Sequence, residues 1–117
     1  LKTPIVYYGG KTNMLKHVLP LISGEHRTFV EPFFGGGAVF FAKKPSKVEI
    51  INDKFGHAIN FYRMVKTNFP KLQKMIQGTL HSEGEYTFSR AVLKGDVPIA
   101  DPVIKAWAFW CQCRLTF

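Results

Sequence analysis

Three consecutive glycines between a strand-forming run and a helix-forming run constrain this chain more than any other feature. Thr28 to Val30 favours an extended strand and Ala38 to Lys43 favours a helix, with Glu31-Pro32-Phe33-Phe34-Gly35-Gly36-Gly37 between them. Such a composition lets the backbone turn sharply and keeps side chains away from the start of the helix. A ligand can therefore approach bare peptide there. Strand, glycine bend and helix, in that order, open a doubly wound α/β unit, whose ligands sit beyond the carboxyl ends of the strands.

Spacing narrows the choice of ligand. The dinucleotide fingerprint GxGxxG is met at Gly35 and Gly37, but Phe40 occupies its third glycine position, where helix and strand must approach closely. A Walker phosphate loop also fails: Gly10-Lys11-Thr12 resembles its end, yet Ile5 stands where its first glycine belongs. S-adenosylmethionine has no phosphates and asks instead for a glycine bend beside its methionine part and an acid for its ribose hydroxyls. Val48-Glu49-Ile50-Ile51-Asn52-Asp53 is a second strand-forming run ending in a carboxylate. Two charge-assisted hydrogen bonds to a ribose make Asp53 the candidate. Taken by residue type alone, Asn52-Asp53 fits equally well as the N-cap of a helix beginning near Phe55; the glycine bend tips the reading toward ribose.

Tyr7-Tyr8-Gly9-Gly10-Lys11, the run from Phe29 to Phe41, and Ile51-Asn52-Asp53 followed by Asn60-Phe61-Tyr62 resemble, in order and spacing, the N-terminal half of the Dam-type DNA adenine-N6 methyltransferases. A weaker likeness continues through Lys105 to Trp110 and on to Arg114 and Phe117. The resemblance implies a Rossmann-like S-adenosylmethionine-dependent methyltransferase fold of the α/β class, incomplete here, with a helical insertion toward the C-terminus. It implies a cofactor site in which Tyr7 and Lys11 line the pocket, Lys11 meeting the methionine carboxylate. In that site Glu31 faces the sulfonium or amino group, Phe33 and Phe34 wall the pocket, and Gly35, Gly36, Gly37 and Asp53 complete it. By residue chemistry alone, Gly9-Gly10 reads as a plain turn before the next helix, and core packing is the expected fate of at least one of the two phenylalanines.

At 117 residues one domain at most is expected, large enough for a single core, and 46% hydrophobic content without an ~18-residue apolar run describes a globular chain with no membrane span. No secretory signal opens it, so a cytoplasmic location is expected. Lys and Arg number 16 against 8 Asp and Glu, a net charge of +8 that points to a polyanion, with double-stranded DNA the leading partner. Lys43, Lys44 and Lys47 cluster after the first helix, where solvation and the helix dipole account for them. His17, His26, His57 and His81 are dispersed, so no metal site is expected, and Cys111 and Cys113 read as two buried thiols.

Along the chain, Thr12 or Asn13 caps a helix running to about Leu21, and Gly56 to Thr67 carries a core-facing stripe. Asn68-Phe69-Pro70 interrupts; Leu72 to Leu80 reads as a helix, His81 to Glu85 as a polar loop, and Tyr86 to Leu93 as a further helix. Asp101 and Pro102 start the last helix as N-cap and first-turn proline. The pair is followed by Val103-Ile104, with no aromatic to stack on an extruded base, so it is a cap and not the family's Asp-Pro-Pro-Tyr catalytic motif. The expected division is a cofactor-binding part over 1–70 and, over 71–117, a helical segment that starts the DNA-recognition region.

The function these readings support is site-specific DNA adenine-N6 methylation with S-adenosylmethionine as donor. This chain would be the cofactor-binding portion, with the catalytic motif in a further C-terminal region or a second chain. The alternative is a non-catalytic basic nucleic-acid-binding module or inactive subunit derived from the same fold.

Overall fold

A computed structural model describes residues 2–22 and 24–115 as two compact units, Leu1–Lys54 and Phe55–Phe117. No helix among the described residues is long and apolar enough to cross a membrane.

The first unit is mixed α/β. Strand β1 (Thr28–Glu31), the short helix α2 (Ala38–Ala42) and strand β2 (Val48–Ile51) form a βαβ order, and the two strands pair in parallel, with Thr28 opposite Val48 and Glu31 opposite Ile51. Before them, the expected helix to Leu21 is broken into a 3-10 turn (Lys11–Met14), one turn of α-helix α1 (Leu15–Val18) and a second 3-10 turn (Leu19–Leu21). Pro20, in the first turn of that last piece, cannot donate into a continuous ladder, and neither Thr12 nor Asn13 caps the start: Gly10 holds the N-cap position without a side-chain bond. Ile5, Phe34, Ala38 and Val39 form the buried centre of this unit. Val30, Val48 and Ile50, on the opposite face of the strands, are exposed.

The second unit is helical: α3 (Gly56–Thr67), α4 (Phe69–Gln77), α5 (Glu83–Lys94) and α6 (Pro102–Arg114). Helix α6 is its axis, packed by α3, α4 and α5, which is why it is apolar on nearly every side. Its hydrophobicity is spent within the unit's own core, where Phe61 and Phe109 meet at 5.8 Å and the Trp107 indole N–H donates to Thr79 Oγ1 at 2.7 Å. Gln112 donates to the Tyr86 carbonyl and to the buried Ser89 hydroxyl. Helix α3, grouped by sequence with the front part up to residue 70, packs on α4 and α6.

Two helix starts differ from expectation for identifiable reasons. Pro70 opens α4 instead of interrupting it, since a first-turn proline forfeits no helical hydrogen bond. Helix α5 begins at Glu83, inside the expected loop, because the Ser82 hydroxyl accepts from the Glu85 N–H. Asp101 caps α6 as expected, accepting from the Val103 N–H at 2.8 Å; the Lys71 ammonium on the same carboxylate holds its pKa below the usual range. Burial pushes the Cys111 thiol up to about 12 and Cys113 to about 11, so both stay protonated and unreactive at neutral pH.

Lys43 is neither a solvated cation nor a phosphate-facing one. Its side chain is 3% exposed, with the ammonium 4.3 Å above the Phe29 ring and donating to Glu49 Oε1, Ser46 Oγ and the Lys44 carbonyl. That bond holds the Glu49 carboxyl below its ordinary value, and the Ser46 N–H adds to the effect. A depressed folded-state pKa stabilises above the unfolded value and is lost as pH falls through the folded one. Glu49→Gln is therefore expected to lower stability by about 1.5–3 kcal/mol at neutral pH. In urea titrations repeated at falling pH, its deficit against the wild type should shrink as the Glu49 carboxylate becomes protonated, below the ordinary carboxylate range.

Candidate cofactor site

The strand pairing does not stop at the end of the sheet. Beyond Glu31 and Ile51, the Asn52 N–H donates to the Glu31 carbonyl at 3.0 Å and the Phe34 N–H to the Asn52 carbonyl at 2.9 Å. The Gly35 N–H then donates to Asp53 Oδ2 at 2.7 Å. Asp53 thus continues the ladder with its side chain and ties the end of β2 to the glycine bend. The N-cap position of the following helix is held by Phe55, whose own side chain makes no capping bond.

A second acid lies at the end of β1. Glu31 is only 6% exposed; Oε1 accepts from the Lys11 ammonium at 3.0 Å, and Oε2 is buried without a hydrogen-bond partner. Lys11 also donates to the Phe33 carbonyl, a contact with no signature in local residue pattern, and so pins the segment before α1 to the loop after β1. A cavity of about 310 Å³ opens here, lined by Lys11, Glu31, Phe33, Val18, Ile22 and Val39 among others. Phe33 is 74% exposed at its edge, whereas Phe34 is 1% exposed in the core, where it meets Phe40 edge-on. Phe34 takes the core position expected of at least one of the pair, and Phe33 lines the cavity.

The glycines themselves are not bare. A Cβ at Gly36 would lie 2.8 Å from the Tyr7 Cβ, and one at Gly35 would lie 3.3 Å from the Tyr7 ring. Tyr7 therefore covers the first part of the bend, and the glycines make room for it. At Gly37, the left-handed N-cap of α2 (φ 72°), a Cβ would fall 2.7 Å from the Phe34 ring and 2.9 Å from Phe41. The open approach to peptide inferred from composition is thus replaced by close aromatic packing. What remains accessible is the cavity beside the bend.

The chemistry of this donor set suits a ligand with a cationic or N–H-bearing group. A buried carboxylate oxygen left unpaired costs ~1–3 kcal/mol or more, which a ligand's positive charge or N–H would recover. Lys11 offers the complementary cation for an anionic group. S-adenosylmethionine, with a sulfonium, an ammonium and a carboxylate, matches these charges.

A parallel strand pair carrying acids at its carboxyl ends, with a glycine bend after the first strand, is compatible with an incomplete methyltransferase-like α/β fold. The chain belongs to the D12 class N6 adenine-specific DNA methyltransferase family, whose family model matches residues 7–117. It is 41% identical over 68 residues to the type II methyltransferase M1.LlaDCHI of Lactococcus lactis subsp. cremoris, covering 58% of this chain and 24% of that protein. It is 34% identical over 85 residues to the modification methylase StsI of Streptococcus sanguinis, covering 72% of this chain and 13% of that protein. The chain thus spans a quarter or less of the length of these curated relatives.

Because Gly37 is held both by its positive φ and by two phenylalanine rings, Gly37→Ala should destabilise the chain by about 2–4 kcal/mol. Urea unfolding measures this, and a loss below about 1 kcal/mol would mean that the bend yields freely.

Proposed function

We propose that this chain forms the cofactor-binding portion of a site-specific DNA adenine-N6 methyltransferase of the restriction-modification kind, acting on double-stranded DNA in the cytoplasm. S-adenosylmethionine, when bound, supplies an activated methyl group. The observation that carries the reading is the buried, unpartnered Oε2 of Glu31 at the carboxyl end of β1, in a chain that belongs to this family.

In this reading Glu31 holds the cationic part of the cofactor and Lys11 its carboxylate. Asp53, already fixed against the Gly35 N–H, accepts from the ribose hydroxyls. Tyr7 and Phe33 bound the site, and Gly35, Gly36 and Gly37 let the chain bend tightly enough to bring both acids to one end of the sheet. The helices from about residue 71 onward begin the DNA-recognition region. The Asp-Pro pair at 101–102 serves as the cap of α6, so the base-holding motif of the reaction is supplied from elsewhere in the enzyme.

Calorimetric titration with S-adenosylmethionine tests the assignment. Asp53→Ala is expected to weaken binding by about 1.5–3 kcal/mol, the range for hydrogen bonds to a charged group. An unchanged affinity in that variant, or no binding to the wild type, would overturn it.

A further inference from the structure

Tyr8 stands at the tip of a tight turn. The Gly10 N–H donates to the Tyr7 carbonyl at 3.0 Å, Gly9 has φ +73°, and no non-glycine residue described has a positive φ. These conditions define a type II turn with Tyr8 at its second position and Gly9 at its third. Neighbouring side chains then part company. Tyr7 folds inward over Gly35 and Gly36, while Tyr8 is fully exposed, and nothing lies within 4 Å of where a Gly9 Cβ would be.

A single exposed aromatic is unremarkable by itself. Its setting is what distinguishes Tyr8. The turn is anchored on both sides by residues of the cofactor site, Tyr7 before it and Lys11 after it, and Lys11 is pinned in turn to Glu31 and the Phe33 carbonyl. The turn that carries the ring is thereby held next to Lys11, which lines the cavity, with exposed Gly9 and Gly10 after the ring and exposed Thr12 and Asn13 beyond Lys11. Within the same unit Glu31, Glu49 and Asp53 are engaged internally, by Lys11, Lys43 and the Gly35 N–H. A flat π-face on a stiff, glycine-thin support within a chain of net charge +8 suits a nucleobase on a polyanionic strand.

We propose that Tyr8 is a nucleobase-stacking residue, whose ring takes the face of a DNA base brought to the rim of the cofactor site. The inference rests on the cofactor reading above for the place to which the base is brought. Stacking is indifferent to sequence and needs the ring, not the hydroxyl.

The test is binding of the chain to a fluorescein-labelled single-stranded oligodeoxynucleotide of mixed sequence, followed by anisotropy over a range of salt. Tyr8→Ala is expected to weaken binding about tenfold. The slope of log affinity against log salt should not change, because no phosphate contact is lost. Tyr8→Phe should bind like the wild type. Wild-type-like affinity in Tyr8→Ala, an equal loss in Tyr8→Phe, or absence of binding by the wild type would overturn the proposal. Unchanged far-ultraviolet circular dichroism in both variants confirms that the fold is intact. Calorimetry with S-adenosylmethionine on the same samples separates the two readings. Loss of oligonucleotide binding in Tyr8→Ala without any cofactor binding retires the cofactor site and keeps the stacking residue; cofactor binding with no Tyr8 effect does the reverse.

Discussion

The Asp53 carboxylate on the Gly35 N–H is the contact on which the first unit's site depends. Backbone pairing between β1 and β2 ends where the chain must leave the sheet, and a donor stranded there would have to find water or another acceptor. Asp53 supplies that acceptor, so the order of the sheet passes into the bend, and Glu31 and Asp53 come to the same end of adjacent strands. Without it, the glycine segment would be a loose connector. With it, the segment is part of the sheet's hydrogen-bonded frame.

Aromatic rings do the rest of the shaping. Tyr7 lies over Gly35 and Gly36, and Phe34 and Phe41 lie against Gly37, so Gly36 and Gly37 mark places where a side chain comes closer than a Cβ would permit, and Gly35 one where the fit would be tight. The role of the triple glycine is therefore largely internal: it brings the segment before α1 down onto the loop after β1, where Lys11 can reach both Glu31 and the Phe33 carbonyl. At the other end of the strands, Lys43, Glu49, Ser46 and His26 form a connected polar cluster around the Phe29 ring, with His26 Nε2 2.8 Å from Ser46 Oγ. One end of the sheet is closed by internal pairing; the other keeps a buried carboxylate oxygen unpaired.

Much of this was legible in the sequence, because local preference and tertiary structure agree there. The runs around Val30 and Ile50, the helix from Gly56 and the cap at Asp101 announce themselves by period and by residue type. Other features were hidden for physical reasons. Pro20 divides a helix whose apolar spacing looks continuous, and Pro70 marks a beginning that resembles a break, because proline is tolerated in a first turn and nowhere deeper. Ser82 with Glu85 had the spacing of a capping box but sat in a stretch too polar to suggest one. The burial of Lys43 and the covering of the glycines by Tyr7 are tertiary facts, since lysines and glycines carry no local sign of which ring will lie against them.

The central claim is that the ends of β1 and β2, with the bend between them, form one binding site. Amide nitrogen–proton spectra of the labelled chain during addition of S-adenosylmethionine test it most directly. The account predicts saturable shifts concentrated at Gly35, Gly36 and the amides flanking Glu31 and Asp53. Shifts confined to the helical unit, or none that saturate, would contradict it.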